Sequence, residues 1–596
     1  MKLKNERLIL IHRYVTMLAN KMSERQLMVI LSLVVGLVAG FGTYLFEMLL
    51  HFIKYGLTSW FKVDSASIFY LVYPVIGIIL ASLFVKYVIK ENIGEGVTRV
   101  LYAISRRNSK IKPHNCYSSM VASATTIGFG GSVGPEAPMV MTGAAIGSNI
   151  ATFMRQNYKN TTILLGCGVA GALSAIFKAP LTGVAFVLEI LMLDITSMSI
   201  IPLLIAAVTA TSLTYFLNGF EPMFTVNVAN IFDLSHIPYY ILFGIICGLI
   251  SYYFLSANSV ISGAFEKIKR QGVKWIVGGT ILGVLIFLFP PLFAEGYDTL
   301  GALMKGNTSA VFDNSLFYAH RQEVWVVIIY MTAILLFKVV AMSTTNGAGG
   351  VGGGFAPSLF VGAMSGTVTA LLLNTLFGLE LPLIGFTLVG MAGVMSGVMN
   401  APLTSIFLIA ELTGGYTLFV PLMLVSAISF VISYYLEPYS IYTRKLGQMG
   451  DLMTHNKDQA VLLFLDVKKL IEDDFIPIYE NATLEDVVRT VSKSKRNLFP
   501  VIDFENHLRG FVTLDDIRGD MFSTKKYDNS VSDYMTIPPA VITINEPMND
   551  ILDKFEYTKA WNLPVVDENK KYIGFVSKSK IFSAYREQLL KISDDE

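Results

Sequence analysis

Charge is scarce in this chain: 15% of its 596 residues are Asp, Glu, Lys or Arg, against about 25% in an average soluble domain. Such a composition excludes an ordinary water-surrounded globule. Neither sign dominates, with 46 basic and 45 acidic residues, so neither nucleic acid nor another polyanion is implied as a partner. Cysteine is nearly missing. Cys116, Cys167 and Cys247 stand apart and form no CxxC pair, which argues against a disulfide framework or a thiolate metal site. No nucleophile–base constellation and no metal-ligand cluster is legible, so an enzyme has no support and no cofactor is required.

Apolar length is what the chain has in abundance. The runs 27–53, 68–88, 197–218, 238–256, 274–294, 323–342 and 381–410 approach or exceed the roughly 20 residues that span a bilayer. Shorter, glycine-broken segments between them fit discontinuous helices. Lys2, Lys4, Arg7, Arg13, Lys21 and Arg25 precede the first run, which predicts a retained anchor with its N-terminus on the cytoplasmic side.

The apolar part repeats itself. Gly168-Val-Ala170-Gly171 and Ala179-Pro180-Leu181-Thr182 through Glu189 recur as Gly390-Met-Ala392-Gly393 and Ala401-Pro402-Leu403-Thr404 through Glu411, each 222 residues later. At the same spacing Gly131 and Pro135 fall on Gly353 and Pro357. This register makes Gly131-Ser132-Val133-Gly134-Pro135 the sister of Gly353-Gly354-Phe355-Ala356-Pro357. Glycine loops running into helices expose amides without intrahelical partners, a ready anion site that a proline at the first turn leaves free. Two such loops converging from two halves would surround one anion. The competing reading is that these glycines serve close helix packing alone.

Beyond residue 450 the composition turns charged, and a second repeat appears. Ile478, Asp486, Pro500, Asp503 and Gly510 recur as Ile542, Asp550, Pro564, Asp567 and Gly574, each 64 residues later. Each copy reads as strand, helix, strand, turn, strand, helix. The pattern resembles a tandem pair of CBS domains, and the resemblance implies a possible adenine-nucleotide site. Thr513-Leu-Asp-Asp516 matches the family's ribose-holding Ser/Thr-x-x-Asp, whereas Ser577-Lys-Ser-Lys580 ends in a lysine. At most one nucleotide site is therefore expected, at Thr513 and Asp516, and a purely structural pair is the alternative.

The membrane part resembles the CLC chloride channels and chloride/proton exchangers over residues 30–450. The loop with Ser132, Val133 and Gly134 is similar to the family's GREGP signature, whose glutamate is gate and external proton acceptor; the glycine–proline match puts Val133 at that place. Gly94-Glu95-Gly96-Val97-Thr98 is similar to the GSGIP loop, with Glu95 where a chloride-binding serine is expected and Gly96 beside it. Gly354 and Phe355 match the GxFAP loop, whose amides face the ion. Tyr442, with Tyr439 as the alternate, matches the inner tyrosine. In exchangers the residue after Glu189 would be the inner proton glutamate, and here it is Ile190; Glu189 itself is read as structural. Lys338 either raises the local positive potential or snorkels to the interface.

The resemblance implies a polytopic α-helical membrane protein with two inverted-repeat, CLC-like halves, about 26–218 and 238–436 within a unit 1–448. A C-terminal α/β CBS pair follows at 453–523 and 533–590. It implies a passive channel for chloride or a similar monovalent anion, lacking both proton-handling glutamates and regulated through its CBS pair. The alternative is a chloride/proton antiporter with a displaced carboxylate gate at Glu95, or at Glu136. A homodimer in the cell membrane, with N-terminus and CBS domains cytoplasmic, completes the expectation.

Overall fold

The computed structural model describes residues 22–59, 67–91, 93–193, 197–220, 233–449 and 467–593. The basic residues from Lys2 to Lys21 and the expected start of the first CBS domain at 453 lie outside them. The chain divides into two compact units, Met1–Leu452 and Met453–Glu596.

Among the described residues of the first unit, two sets of eight α-helices follow one another. The first set is α1 (Glu24–Thr58), α2 (Tyr73–Leu83), α3 (Gly96–Arg106), α4 (Ser118–Gly128), α5 (Glu136–Phe153), α6 (Tyr158–Phe177), α7 (Pro180–Glu189) and α8 (Ser197–Asn218). The second is α9 (Ile237–Lys267), α10 (Gln271–Leu288), α11 (Tyr297–Met304), α12 (Val324–Ala348), α13 (Phe355–Phe377), α14 (Leu383–Met399), α15 (Pro402–Leu412) and α16 (Phe419–Leu436). A short α17 (Arg444–Met449) closes the unit. Among the described residues, nine segments are long and apolar enough to cross a membrane. Val29, Leu37, Phe41, Met48 and Phe52 stay exposed along α1, as a lipid-facing side requires, because apolar side chains cost nothing against acyl chains.

Local chemistry sets the helix ends. Ser23 and Gln26 form a reciprocal capping box at the start of α1. Pro180 and Pro402 occupy the first turns of α7 and α15, where their missing N–H groups lose no bond. The preceding helices end on left-handed residues 222 apart, Lys178 (φ 54°) and Asn400 (φ 55°).

Helix pairs α5·α6 and α13·α14 form the tightly packed centre. A methyl placed on Gly143 would collide with the Gly168 carbonyl, and one on Gly362 with the Gly390 carbonyl. The next turn repeats the pattern, Gly147 against Leu164 and Gly366 against Phe386. These contacts fix the internal register. Gly390 lies 222 residues after Gly168, but Gly362 lies 219 after Gly143.

The glutamates of the repeat join the halves reciprocally. Glu189 Oε1 accepts from the Leu403 amide (2.8 Å), and its Oε2 accepts from the Thr404 amide and hydroxyl, both at 2.7 Å. Glu411 does the same for Leu181 (2.9 Å) and for the Thr182 amide and hydroxyl (2.8 and 2.6 Å). Each carboxylate thereby satisfies orphan amides at the positive end of the other half's helix. Glu411→Ala is expected to lower stability by about 2–3 kcal/mol, the worth of charge-assisted bonds, seen as a lower unfolding temperature in detergent. An unchanged temperature would deny the cap that role.

Among the described residues, the second unit carries two three-stranded sheets, β1 (Ile478–Tyr479), β2 (Leu498–Ile502), β3 (Leu508–Thr513) and β4 (Ile542–Thr543), β5 (Asn562–Val566), β6 (Tyr572–Ser577). In each, the first pair is parallel and the second antiparallel, with a register shift at Val501/Ile502 and again at Val565/Val566. The 64-residue repeat thus extends to the irregularity in the ladder.

Candidate anion site

The two loops ahead of α5 and α13 meet in a two-bond bridge. The Gly134 amide donates to the Gly353 carbonyl (2.9 Å) and the Gly353 amide to the Gly134 carbonyl (2.7 Å). Flanking threonines repeat the symmetry: Thr345 Oγ1 accepts from the Ser132 amide (3.2 Å), and Thr126 Oγ1 from the Val351 amide (3.1 Å). Every one of these equivalents is 219 residues apart. The expected pairing of Gly131 and Pro135 with Gly353 and Pro357 is therefore corrected. Gly134-Pro135-Glu136-Ala137-Pro138 is the sister of Gly353-Gly354-Phe355-Ala356-Pro357, and α5 and α13 begin at the equivalent residues Glu136 and Phe355.

This register changes which side chain enters the junction. Val133 is buried and corresponds to Gly352, against which it packs. Ser132 is buried as well. Glu136, whose side chain is buried, turns back over its own helix start. Its Oε2 reaches the Ala356 amide of the sister helix (3.4 Å), and its Oε1 accepts from the Tyr297 hydroxyl. Phe355 is buried and stacks on Phe177 with ring centroids 5.2 Å apart. Gly354 caps α13. The opening amides of both helices have no intrahelical acceptor, so this is where an anion is favoured.

A third helix start closes on the same place. Gly96 opens α3 so near the Ala137 carbonyl that a methyl there would collide. Two residues on, Thr98 Oγ1 donates to the Tyr442 carbonyl (2.9 Å). Tyr442 is buried and lies within electrostatic reach of Glu136; Tyr439 instead packs against Gly447. Of the two candidates, Tyr442 is the one at the junction.

Glu95 takes no part through its side chain. It caps α3 with a left-handed backbone (φ 56°), is 55% exposed, and pairs with Lys445 at 3.1 Å. The displaced gate proposed at Glu95 is therefore not supported by the placement of its carboxylate. Ile190 is buried at the end of α7, an apolar group where the resemblance asks for a glutamate. Lys338 does not snorkel: it is fully buried, donates to the Ala294 carbonyl (3.0 Å), and stands 4.8 Å over the Phe360 ring.

Thr513 and Asp516 are spent on each other. Asp516 Oδ2 accepts from the Thr513 amide (2.8 Å) and hydroxyl (2.7 Å), while Thr513 Oγ1 receives the Asp516 amide (3.3 Å). This is a capping box of a four-residue helix, α20 by chain order (Leu514–Ile517, with α18 Val467–Leu470 and α19 Leu484–Lys493 before it).

Two inverted sets of broken helices whose glycine-rich starts converge on one buried point define a membrane anion transporter. The family model described as voltage gated chloride channel matches residues 77–434, more than half of the sequence, and a CBS domain model matches 467–522 and 531–587. The chain belongs to the CLC family. It is 27% identical over 435 residues to the H(+)/Cl(-) exchange transporter ClcA of Vibrio cholerae, covering 70% of this chain and 88% of that one. It is 26% identical over 450 residues to chloride channel protein CLC-f of Arabidopsis thaliana, covering 67% of this chain and 56% of that longer one. Among solved structures, a slow cyanobacterial Cl-/H+ antiporter superposes with a TM-score of 0.60 at 22% identity, over 72% of this chain and 98% of that one.

Proposed function

We propose that this protein carries chloride, or a similar monovalent anion, across the cell membrane, and that the Glu136 carboxylate is the gate. One observation carries the reading: Glu136 is buried at the junction of three helix starts with an oxygen on the Ala356 amide. A carboxylate there satisfies the amides an anion would use, so an anion gains them only when the side chain leaves or loses its charge. Acid therefore opens the path, and a proton taken up by Glu136 is naturally tied to anion passage. Proton-coupled exchange is the reading this favours, with membrane potential adding about 2.3 kcal/mol per charge at 100 mV. Passive conduction stays as the second reading because Ile190 is apolar and buried. A homodimer, with the N-terminus and CBS pair cytoplasmic, belongs to the proposal.

Liposomes loaded with chloride and held at zero potential test it. Proton movement in fixed proportion to a chloride gradient supports exchange. Chloride flux with no proton movement returns the protein to passive conduction.

For the CBS pair, one weakly bound adenine nucleotide per chain is expected. Asp516→Ala should reduce affinity about tenfold, or about 1.4 kcal/mol, since Asp516 has one carboxylate oxygen outside the capping box. Calorimetry giving two equal sites would refute this assignment; no binding would leave the pair structural.

A further inference from the structure

We propose that Tyr297 is the latch of this gate, a positioning residue whose hydroxyl holds Glu136 at the junction. The inference rests on the reading of Glu136 given above. The segment that presents Tyr297 is fastened from both sides. Lys338 donates to the Ala294 carbonyl (3.0 Å), and the Ala294 amide donates to Gly130 (3.3 Å). Lys54 Nζ pairs with Glu295 Oε1 and with Asp298 Oδ2, each at 2.9 Å. Left-handed residues flank Glu295, Ala294 at φ 56° and Gly296 at φ 89°. Gly296 is pressed so closely to Phe360 that a side chain has no room.

Charges are costly to bury, even in pairs. Here a fully buried lysine and a carboxylate at 7% exposure are engaged in fixing the segment 294–298. What those residues deliver is the Tyr297 hydroxyl on Glu136 Oε1. The inverted symmetry sharpens the point. Helices α3 and α11 are equivalent and both follow a left-handed cap, Glu95 and Gly296. The first helical residue is Gly96 in one and Tyr297 in the other. Only the second half supplies a side chain there.

A hydroxyl donor strengthens its hold on a carboxylate when that group is ionised. With the Ala356 amide, Tyr297 gives the closed gate donors on both oxygens. The other titratable groups facing this pair are Glu295 ahead of α11, Tyr442, and Glu47 of α1, while Lys54 of α1 and Lys338 of α12 face Glu295.

The test is chloride efflux from liposomes as a function of pH, for the full chain and for Tyr297→Phe, Glu136→Gln and the double variant. Tyr297→Phe is expected to raise flux at neutral pH about tenfold and to move the midpoint of acid activation about one unit alkaline, the equivalent of tenfold. Glu136→Gln should flatten the profile, and Tyr297→Phe should then add nothing. Flat Glu136→Gln with an unmoved Tyr297→Phe profile overturns the latch and leaves the gate standing. An unmoved profile in Glu136→Gln overturns the gate itself. Should Tyr297→Phe fail to fold, site-specific difluorotyrosine at 297 keeps the shape with a stronger donor. Its midpoint should move acidic, and an unmoved midpoint rejects the latch.

Discussion

Glu136→Ala is expected to abolish the acid dependence of chloride flux and any proton movement driven by a chloride gradient. Removing the carboxylate frees the Ala356 amide and vacates the junction. A charge-assisted bond is worth about 1.5–3 kcal/mol, so flux at neutral pH should rise by about tenfold or more. Flux assays at several pH values on reconstituted protein give the answer directly. Val133→Ala is the matched control, because Val133 packs on Gly352 beside the junction, and its pH profile should follow the parent's. If Val133→Ala loses acid dependence while Glu136→Ala keeps it, the 219-residue register has been assigned the wrong consequence.

The second large effect is on folding. Gly362→Val places a branched side chain into the Gly390 carbonyl, and Gly143→Val does the same against Gly168. Backbone cannot move aside as a side chain can, so each should cost about 3 kcal/mol or more. Loss of the monodisperse peak on gel filtration in detergent is the expected result for both. Gly56→Ala, on α1 with open space around the added methyl, should behave as the parent and gain helix propensity of about 1 kcal/mol. A well-behaved Gly362→Val would show that the α13·α14 contact has slack the structure does not contain.

Much of this architecture was legible because duplication writes itself in motifs. Gly168 and Gly390, Pro180 and Pro402, Glu189 and Glu411 keep their spacing because tightly packed helices and paired caps tolerate no insertion. The same holds for Pro500 and Pro564 inside buried strands. The register of the candidate anion site is ambiguous by three residues in the sequence for a physical reason. Gly143 and Gly168 are 25 residues apart, Gly362 and Gly390 28. The second half thus holds three more residues around the α13–α14 connection, where length is cheap. The sequence also offers two overlapping frames, Gly131…Pro135 and Gly134…Pro138, and both satisfy a glycine–proline match. The Ala-Pro dipeptide shared by Ala137-Pro138 and Ala356-Pro357 was the signal that separated them. Tyr297 and Glu295 had no such signal: they reach Glu136 and Lys54 across 161 and 241 residues, and no local pattern reports a contact of that range.

The exchange of caps between Glu189 and Glu411 makes the two halves incomplete as separate objects. A chain cut between Asn218 and Ile237 would yield two fragments, each with a helix start lacking its acceptor and a glutamate lacking its donors. Neither fragment is then a folding module, whereas the pair together is closed. For biosynthesis, the first half must wait in the bilayer with α7 unfinished until residue 411 has been made. A half-length ancestor could have met the same need only from a second, oppositely oriented copy of itself.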